Sequence, residues 1–228
     1  LDIEPGPLAS DPREFTISGT RLFFAANGPE GEELWKKTIG GAVLVEDIQP
    51  ATGGSSPSDL TDVGGTLYFG ASTGASGNEL WRSQGSVADT EIVAEMGPGS
   101  ASGFPSSIRP SGPFGGGILF SGETAAAGRE LFTSTGATGN FQLVSNFAAG
   151  AASSFPEIQL VNGFVAFVSA HTNATGREPC MSVDVGVTYI EVALGDLYPG
   201  GNDSDPSDFV VAGGTTFFVA EDPTNGRE

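Results

Sequence analysis

Apolar residues in this chain come in short runs, and the runs return. The strongest are Leu22-Phe23-Phe24, Leu67-Tyr68-Phe69, Ile118-Leu119-Phe120, Phe164-Val165-Ala166-Phe167 and Phe217-Phe218-Val219. Glycine pairs such as Gly64-Gly65 and Gly213-Gly214 precede them, and shorter apolar segments such as Phe15-Thr16-Ile17 and Phe209-Val210-Val211 come before those turns. Two further segments follow each run: Leu34-Trp35, Leu80-Trp81 or Leu131-Phe132, then residues 42–45, 91–93, 142–144 or 189–192. Short aromatic and β-branched runs between glycine turns predict strands, and near-continuous apolarity predicts burial on both faces. No helical periodicity is present, so the pattern predicts an all-β chain.

Two markers fix the period. A Gly-x-Glu triplet occurs at Gly31/Glu33, Gly77/Glu79, Gly128/Glu130, Gly176/Glu178 and Gly226/Glu228, in steps of 46, 51, 48 and 50 residues. A proline in a Gly/Ser/Ala-rich loop recurs at Pro12, Pro57, Pro105, Pro156 and Pro206, in steps of 45, 48, 51 and 50. The units run over residues 4–48, 49–96, 97–147, 148–197 and 198–228, the last incomplete. Four short antiparallel strands per unit predict a β-propeller of about five four-stranded blades, because a lone blade cannot bury both faces and must stack on its neighbours. Asp2-Ile3 aligns with Asp47-Ile48, and Glu228 aligns with the start of a third strand. The expectation is therefore a segment of a longer array, with a five-bladed ring closed on an incomplete blade as the alternative. Leu1 opens directly onto Asp2-Ile3-Glu4-Pro5 with neither a starting Met nor a signal peptide, which reads as a processed or incomplete start.

Composition narrows the partners. The 35 glycines and 15 prolines fit many tight turns, while 16 phenylalanines supply burial that a disordered chain lacks. The formal net charge is −19, with only nine basic residues. So acidic a surface repels phosphate backbones and anionic membranes, leaving cations or basic proteins. No run approaches the ~20 apolar residues of a membrane-spanning helix, so neither nucleic acid binding nor membrane insertion is expected. The single Cys180 forms no intrachain disulfide.

The segments Gly77-Asn78-Glu79-Leu80-Trp81-Arg82-Ser83-Gln84-Gly85-Ser86 and Gly31-Glu32-Glu33-Leu34-Trp35 resemble the ELWxxDGT repeat of large bacterial surface and secreted proteins. Val45-Glu46-Asp47-Ile48-Gln49-Pro50 and Gly64-Gly65-Thr66-Leu67-Tyr68-Phe69 match the strands that flank that motif. The resemblance spans all five units unevenly: Trp becomes Phe132 in the third, Leu-Trp becomes Pro179-Cys180 in the fourth, and Asp-Gly-Thr survives as Gln84-Gly85-Ser86 and Thr135-Gly136-Ala137. It implies an extracellular, propeller-like array and brings no catalytic motif.

The repeated glutamates Glu33, Glu79, Glu130, Glu178 and Glu228 are the first candidates for chemistry. A ring of carboxylates could hold a cation. A residue required in every copy is more simply structural, bonding backbone N–H groups at its own turn or pairing with Arg129, Arg177 or Arg227. The loop Asn202-Asp203-Ser204-Asp205 offers oxygen donors of the kind Ca²⁺ takes, at Asn202, Asp203 and Asp205, without EF-hand spacing; the plain reading is a polar turn. Asn173-Ala174-Thr175 and Asn202-Asp203-Ser204 fit the N-glycosylation pattern, which carries little meaning in a bacterial chain. His171 is the only histidine, and neither it nor Cys180 sits in a nucleophile motif; one His and one Cys do not make a zinc site.

These observations lead to the expectation of a non-catalytic extracellular or cell-surface scaffold or interaction module, of the kind that forms part of a surface assembly or filament, acting through a protein partner or self-association, with no cofactor. The alternative is a glycan-binding propeller using Trp35 and Trp81 as stacking platforms, although aromatics at equivalent strand positions are more often core. A polysaccharide hydrolase using an acidic pair ranks third, since it needs only two carboxylates.

Overall fold

A computed structural model describes residues 2–4, 6–50, 53–113, 117–186 and 188–228; Leu1 and Pro5 of the opening segment lie outside the described residues. The strands fall where the apolar runs place them. β1 (Arg13–Ser18), β2 (Arg21–Gly28), β3 (Gly31–Thr38) and β4 (Gly41–Glu46) form the first sheet, and β5 (Ser58–Val63), β6 (Thr66–Thr73), β7 (Gly77–Ser83) and β8 (Glu91–Ala94) the second. β9 (Ser106–Pro110), β10 (Ile118–Thr124), β11 (Gly128–Ser134) and β12 (Gln142–Ser145) make the third, and β13 (Glu157–Asn162), β14 (Val165–His171), β15 (Arg177–Asp184) and β16 (Tyr189–Ala193) the fourth. The fifth copy has two hairpins: β17 (Ser207–Ala212) with β18 (Thr215–Val219), and β19 (Glu221–Asp222) with β20 (Gly226–Arg227). All four sheets keep sequential strand order, and the resolved registers are antiparallel. The fold is all-β. A single 3₁₀ turn, Val87–Asp89, is the one helical element among the described residues. No helix among them is long and apolar enough to cross a membrane.

The chain divides into two compact units. One holds the chain up to Ile108 together with Gly136–Asn140; the other holds Arg109–Thr135 and Phe141–Glu228. Within the first unit, Phe23, Leu34, Val45 and Ile48 from the first copy pack on Leu60, Leu67, Phe69 and Ala71 of the second, with Trp81 beside them. Within the second unit, Leu119, Leu131 and Val144 of the third copy pack on Ile158, Ala166, Val168, Ala170 and Cys180 of the fourth. Each core is two sheets closed face to face. Fully burying one such side chain stabilises by roughly 1.5–3 kcal/mol.

Backbone detail repeats as faithfully as the strands. The residue before each repeat proline is left-handed: Asp11 (φ 41°), Ser56 (50°), Phe104 (45°), Phe155 (48°) and Asp205 (44°). Such a conformation costs on the order of 1–3 kcal/mol per residue and persists only where surrounding contacts hold it. In four copies the first strand also carries a register break against the second, between Arg13 and Thr16, Ser58 and Thr61, Ile158 and Leu160, and Ser207 and Val210.

Candidate functional site

The feature that recurs with the most chemistry is the buried glutamate of each Gly-x-Glu turn. Glu33, Glu79, Glu130 and Glu178 have no exposed surface. Each is the second or third residue of the third strand of its sheet, and the residue opposite it on the second strand is small: Ala26, Ala71, Gly122 and Ala170. That leaves room for the connector running to the next copy to pass over the carboxylate. The approach is tight: a Cβ on Gly77 would lie 2.2 Å from the Ala101 carbonyl oxygen, and one on Gly176 would lie 2.0 Å from that of Asn202. Glycine is required there by close approach of backbone.

The carboxylates bind backbone of the connector, 15 to 24 residues further along, and this corrects the expectation of bonds at their own turns. Glu33 accepts the N–H groups of Ile48 (3.2 Å), Gln49 (3.1 Å) and Ser55 (2.9 Å), plus the Ser55 hydroxyl. Glu79 accepts those of Met96 (2.7 Å), Gly97 (3.1 Å) and Gly103 (3.1 Å). Glu130 accepts those of Phe147 (3.1 Å), Ala148 (3.3 Å) and Ser154 (3.1 Å), and the Ser154 hydroxyl at 2.6 Å. Glu178 accepts the Leu197 N–H (2.9 Å) and the Ser204 hydroxyl (2.8 Å), and its Oε1 has no partner among the described residues. Burial raises the carboxyls of Glu33 and Glu79 against these hydrogen bonds, and pushes Glu130 up to about 7.

A second set of bonds ties the same turn to the same connector. The N–H of the middle residue of the triplet donates to Ser102 Oγ (from Asn78, 2.9 Å), Ser153 Oγ (from Arg129, 2.9 Å) and Asp203 Oδ1 (from Arg177, 2.7 Å). Its carbonyl accepts from Ser56, Gly103, Ser154 or Ser204. The arginine pairing expected for the glutamates is replaced by another. Arg177 Nη2 donates to the Phe155 carbonyl (3.0 Å) and Arg227 Nη1 to that of Asp205 (3.1 Å), each the left-handed residue before a repeat proline. In the first unit, Lys36 Nζ donates to the Gly85 carbonyl and Arg82 Nη1 to that of Gly136 (2.7 Å), so a strand-three cation clasps the following copy.

The remaining candidates take these positions. Asp203 stands where Ser102 and Ser153 stand and does the same work; the Asp205 carbonyl serves Arg227, and Asn202 Nδ2 reaches the Pro199 carbonyl at 3.4 Å. Among the described residues no group of three or more His, Cys, Asp or Glu side chains could hold a metal ion. Trp35 is 7% exposed and its indole N–H donates to the Ala26 carbonyl at 3.1 Å. Trp81 lies partly buried against the first unit's core, its Nε1 buried without a partner among the described residues. Cys180 is buried among apolar side chains, and burial, with the charges of Glu178, Glu191 and Glu130, pushes its thiol up to about 12. His171, three rungs away on the neighbouring strand, has Nδ1 3.8 Å from Asp203 Oδ1. Glu228 sits in register with the others, its N–H and carbonyl paired with Ala220, but is exposed.

Sequence reasoning missed Glu46. Burial raises its carboxyl, with Glu33, Asp47 and Asp89 adding to the effect, and its Oε2 is buried without a partner among the described residues. The serines two residues before the repeat prolines were also missed, although Ser55, Ser154 and Ser204 align once the prolines are superposed.

No protein-family model matches the chain, and no curated protein matches it. Among solved structures, the chain is similar to the crystal structure of TolB from Acinetobacter baumannii, at 12% identity and a TM-score of 0.49. That alignment covers 91% of this chain and 50% of the TolB chain, so the chain spans about half the length of that protein.

Proposed function

We propose that the chain is a non-catalytic scaffold or interaction module of the cell exterior, a propeller-like array of the ELWxxDGT kind. One observation carries the reading. In the first four copies the repeated glutamate spends its carboxylate on the backbone of the following connector, so the chemistry the repeat keeps within this chain is the chemistry of joining copies. The strand-three cations Lys36 and Arg82 serve the same end. About five blades of this kind account for the spacing, and the acidity suits a partner with a basic surface.

Two rival readings have specific weak points. A lectin using Trp35 would need a ring face that the core occupies. A hydrolase would draw on Glu46 beside Glu33, yet Glu33 is fully engaged by the connector. A glycan array and a polysaccharide turnover panel test the proposal together. We expect neither binding nor turnover, and no change on Trp81→Ala. Saccharide binding lost in a folded Trp81→Ala protein establishes the lectin instead, and turnover lost in Glu46→Gln establishes the hydrolase. Surface labelling of intact cells checks the location.

A further inference from the structure

Every buried side-chain oxygen or nitrogen that lacks a partner among the described residues falls in one kind of place. These atoms lie at the two joints where one sheet closes on the next inside a compact unit. At the joint of the first and second sheets they are Glu46 Oε2, Asp47 Oδ1 and Trp81 Nε1. At the joint of the third and fourth they are Ser121 Oγ, Ser145 Oγ and Asn146 Oδ1 on one side, with Glu178 Oε1 and Ser182 Oγ on the other.

The positions correspond. Glu46 and Ser145 each stand opposite the leucine that follows the repeat glutamate, Leu34 and Leu131. Asp47 and Asn146 come next in the chain, and Trp81 and Cys180 each stand two residues after their own glutamate. Opposed residues of an antiparallel pair share a face, so Ser121 and Ser145 go with Leu131 toward the fourth sheet. Alternate residues of a strand share a face too, which puts Glu178 and Ser182 with Cys180 toward the third sheet.

What accompanies these atoms differs between the joints. Ser83, the counterpart of Ser182, bonds the Thr90 hydroxyl (2.8 Å) and the Gly85 N–H (2.9 Å), and Glu79, the counterpart of Glu178, has both oxygens engaged. Ala25 stands where Ser121 stands and carries no polar group. The third and fourth copies therefore add stranded oxygens at the joint whose apolar side chains are the smaller, with Leu119, Ala166, Val168 and Cys180 in place of Phe23, Leu67, Phe69 and Trp81. Phe147 and Tyr189 pack against this core without being fully buried in it.

Stranded oxygens are costly in a protein interior. A cavity stays dry where its lining is apolar, whereas a polar lining holds water that makes about three hydrogen bonds per molecule. Glu178 and Ser182 are four strand residues apart, about 13 Å, so one water does not serve both. Asn146 belongs to the Ser182 end, because its N–H donates to Glu191 Oε1 (2.6 Å) and Glu191 stands opposite Ser182.

We propose that the joint of the third and fourth sheets is an internal hydration site for on the order of two water molecules. One is held among Ser182, Asn146, Ser145 and Ser121, in space that the Trp81 indole takes at the first joint. The other donates to Glu178 Oε1, replacing a hydrogen that the connector backbone gives to Glu33, Glu79 and Glu130. Water is thus the ligand of this joint, and the inference goes beyond the scaffold reading, whose failure would leave it standing.

Oxygen-17 magnetic relaxation dispersion detects water held inside a protein for longer than its tumbling time, and it tests the proposal. The wild type should show a dispersion. Cys180→Trp, which restores the residue of the first joint, should lower its amplitude by about one water, with the fold checked by circular dichroism. Should that variant not fold, Ser145→Ala combined with Ser182→Ala should lower the amplitude as well, by removing the groups that hold the water. A wild type without dispersion, or an amplitude unchanged in a folded variant, overturns the proposal. Xenon-induced shifts at the methyl groups of Leu119 and Val168 would also overturn it, because they would mark a dry apolar cavity at the same joint.

Discussion

The two buried cores are built at equivalent positions from different side chains. Phe23, Leu67, Phe69 and Trp81 in the first unit correspond to Leu119, Ala166, Val168 and Cys180 in the second. Each of these four changes is toward smaller volume, and Phe147 standing where Ile48 stands restores only part of it. The polar arrangement around Glu33 in the first copy and Glu130 in the third does not drift. Glu33 and Glu130 each hold three backbone N–H groups and one serine hydroxyl at matching positions. The lesson is that apolar volume trades freely between copies so long as it fills the space, whereas a buried charge with four directional partners does not.

The largest expected effect tests the apolar half of that contrast. Phe69→Ala should cost about 4 kcal/mol and Val168→Ala about 2, because the larger side chain leaves the larger cavity. Equal losses in urea unfolding would mean the two cores are not equivalent supports. Next come the glutamates. Glu33→Ala and Glu130→Ala should each cost about 3 kcal/mol through stranded backbone donors, and Glu178→Ala about half as much, since it serves one N–H and one hydroxyl. A Glu178→Ala loss as large as the others would remove the distinction between full and loosened junctions.

A smaller effect follows from protonation. The Glu130 carboxyl is held up at about 7 by burial, so the native state keeps a proton that the unfolded chain releases near 4.5. Its contribution is complete below the unfolded value and is lost as pH rises through about 7; Glu33 and Glu79 act in the same direction. Unfolding free energy should therefore fall by on the order of 2 kcal/mol between pH 5 and 8, with a shallower slope in Glu130→Gln. The smallest effect is at Cys180, where Cys180→Val should change stability by less than about 1 kcal/mol. The native thiol should react with alkylating reagents only through unfolding, being buried and held at about 12.

Strands were legible because their signal is local: glycine turns and apolar runs fix each one without reference to its neighbours. The repeated glutamates were legible as structural, but their partners were not. A carboxylate bonding 15 or more residues downstream leaves no periodic trace of its own. What trace there is lies in the company it keeps: a small residue opposite (Ala26, Ala71, Gly122, Ala170) and a serine or glycine two before the next proline (Ser55, Gly103, Ser154, Ser204). Asp203 drew attention as a metal donor because it is acidic; superposed on Ser102 and Ser153 it is one more acceptor for a backbone N–H. Trp35 and Trp81 were read together because they are equivalent in sequence, and burial separates them. The Pro179-Cys180 departure was visible, but its consequence was not. There the fourth strand pairs without the register break seen at Leu34/Trp35, Leu80/Trp81 and Leu131/Phe132, and the connector reaches Glu178 with fewer donors.

The connectors have a consequence for anyone who would cut and splice this array. A scissile boundary between sheets, the obvious place to divide the sequence into modules, separates a glutamate from the backbone that solvates it. The transplantable piece is out of phase with the sheet: it begins at one Gly-x-Glu turn and runs through the next proline into the following sheet's first two strands. Chimaeras joined in that frame inherit their buried charges already neutralised, and those joined between sheets expose one at every seam.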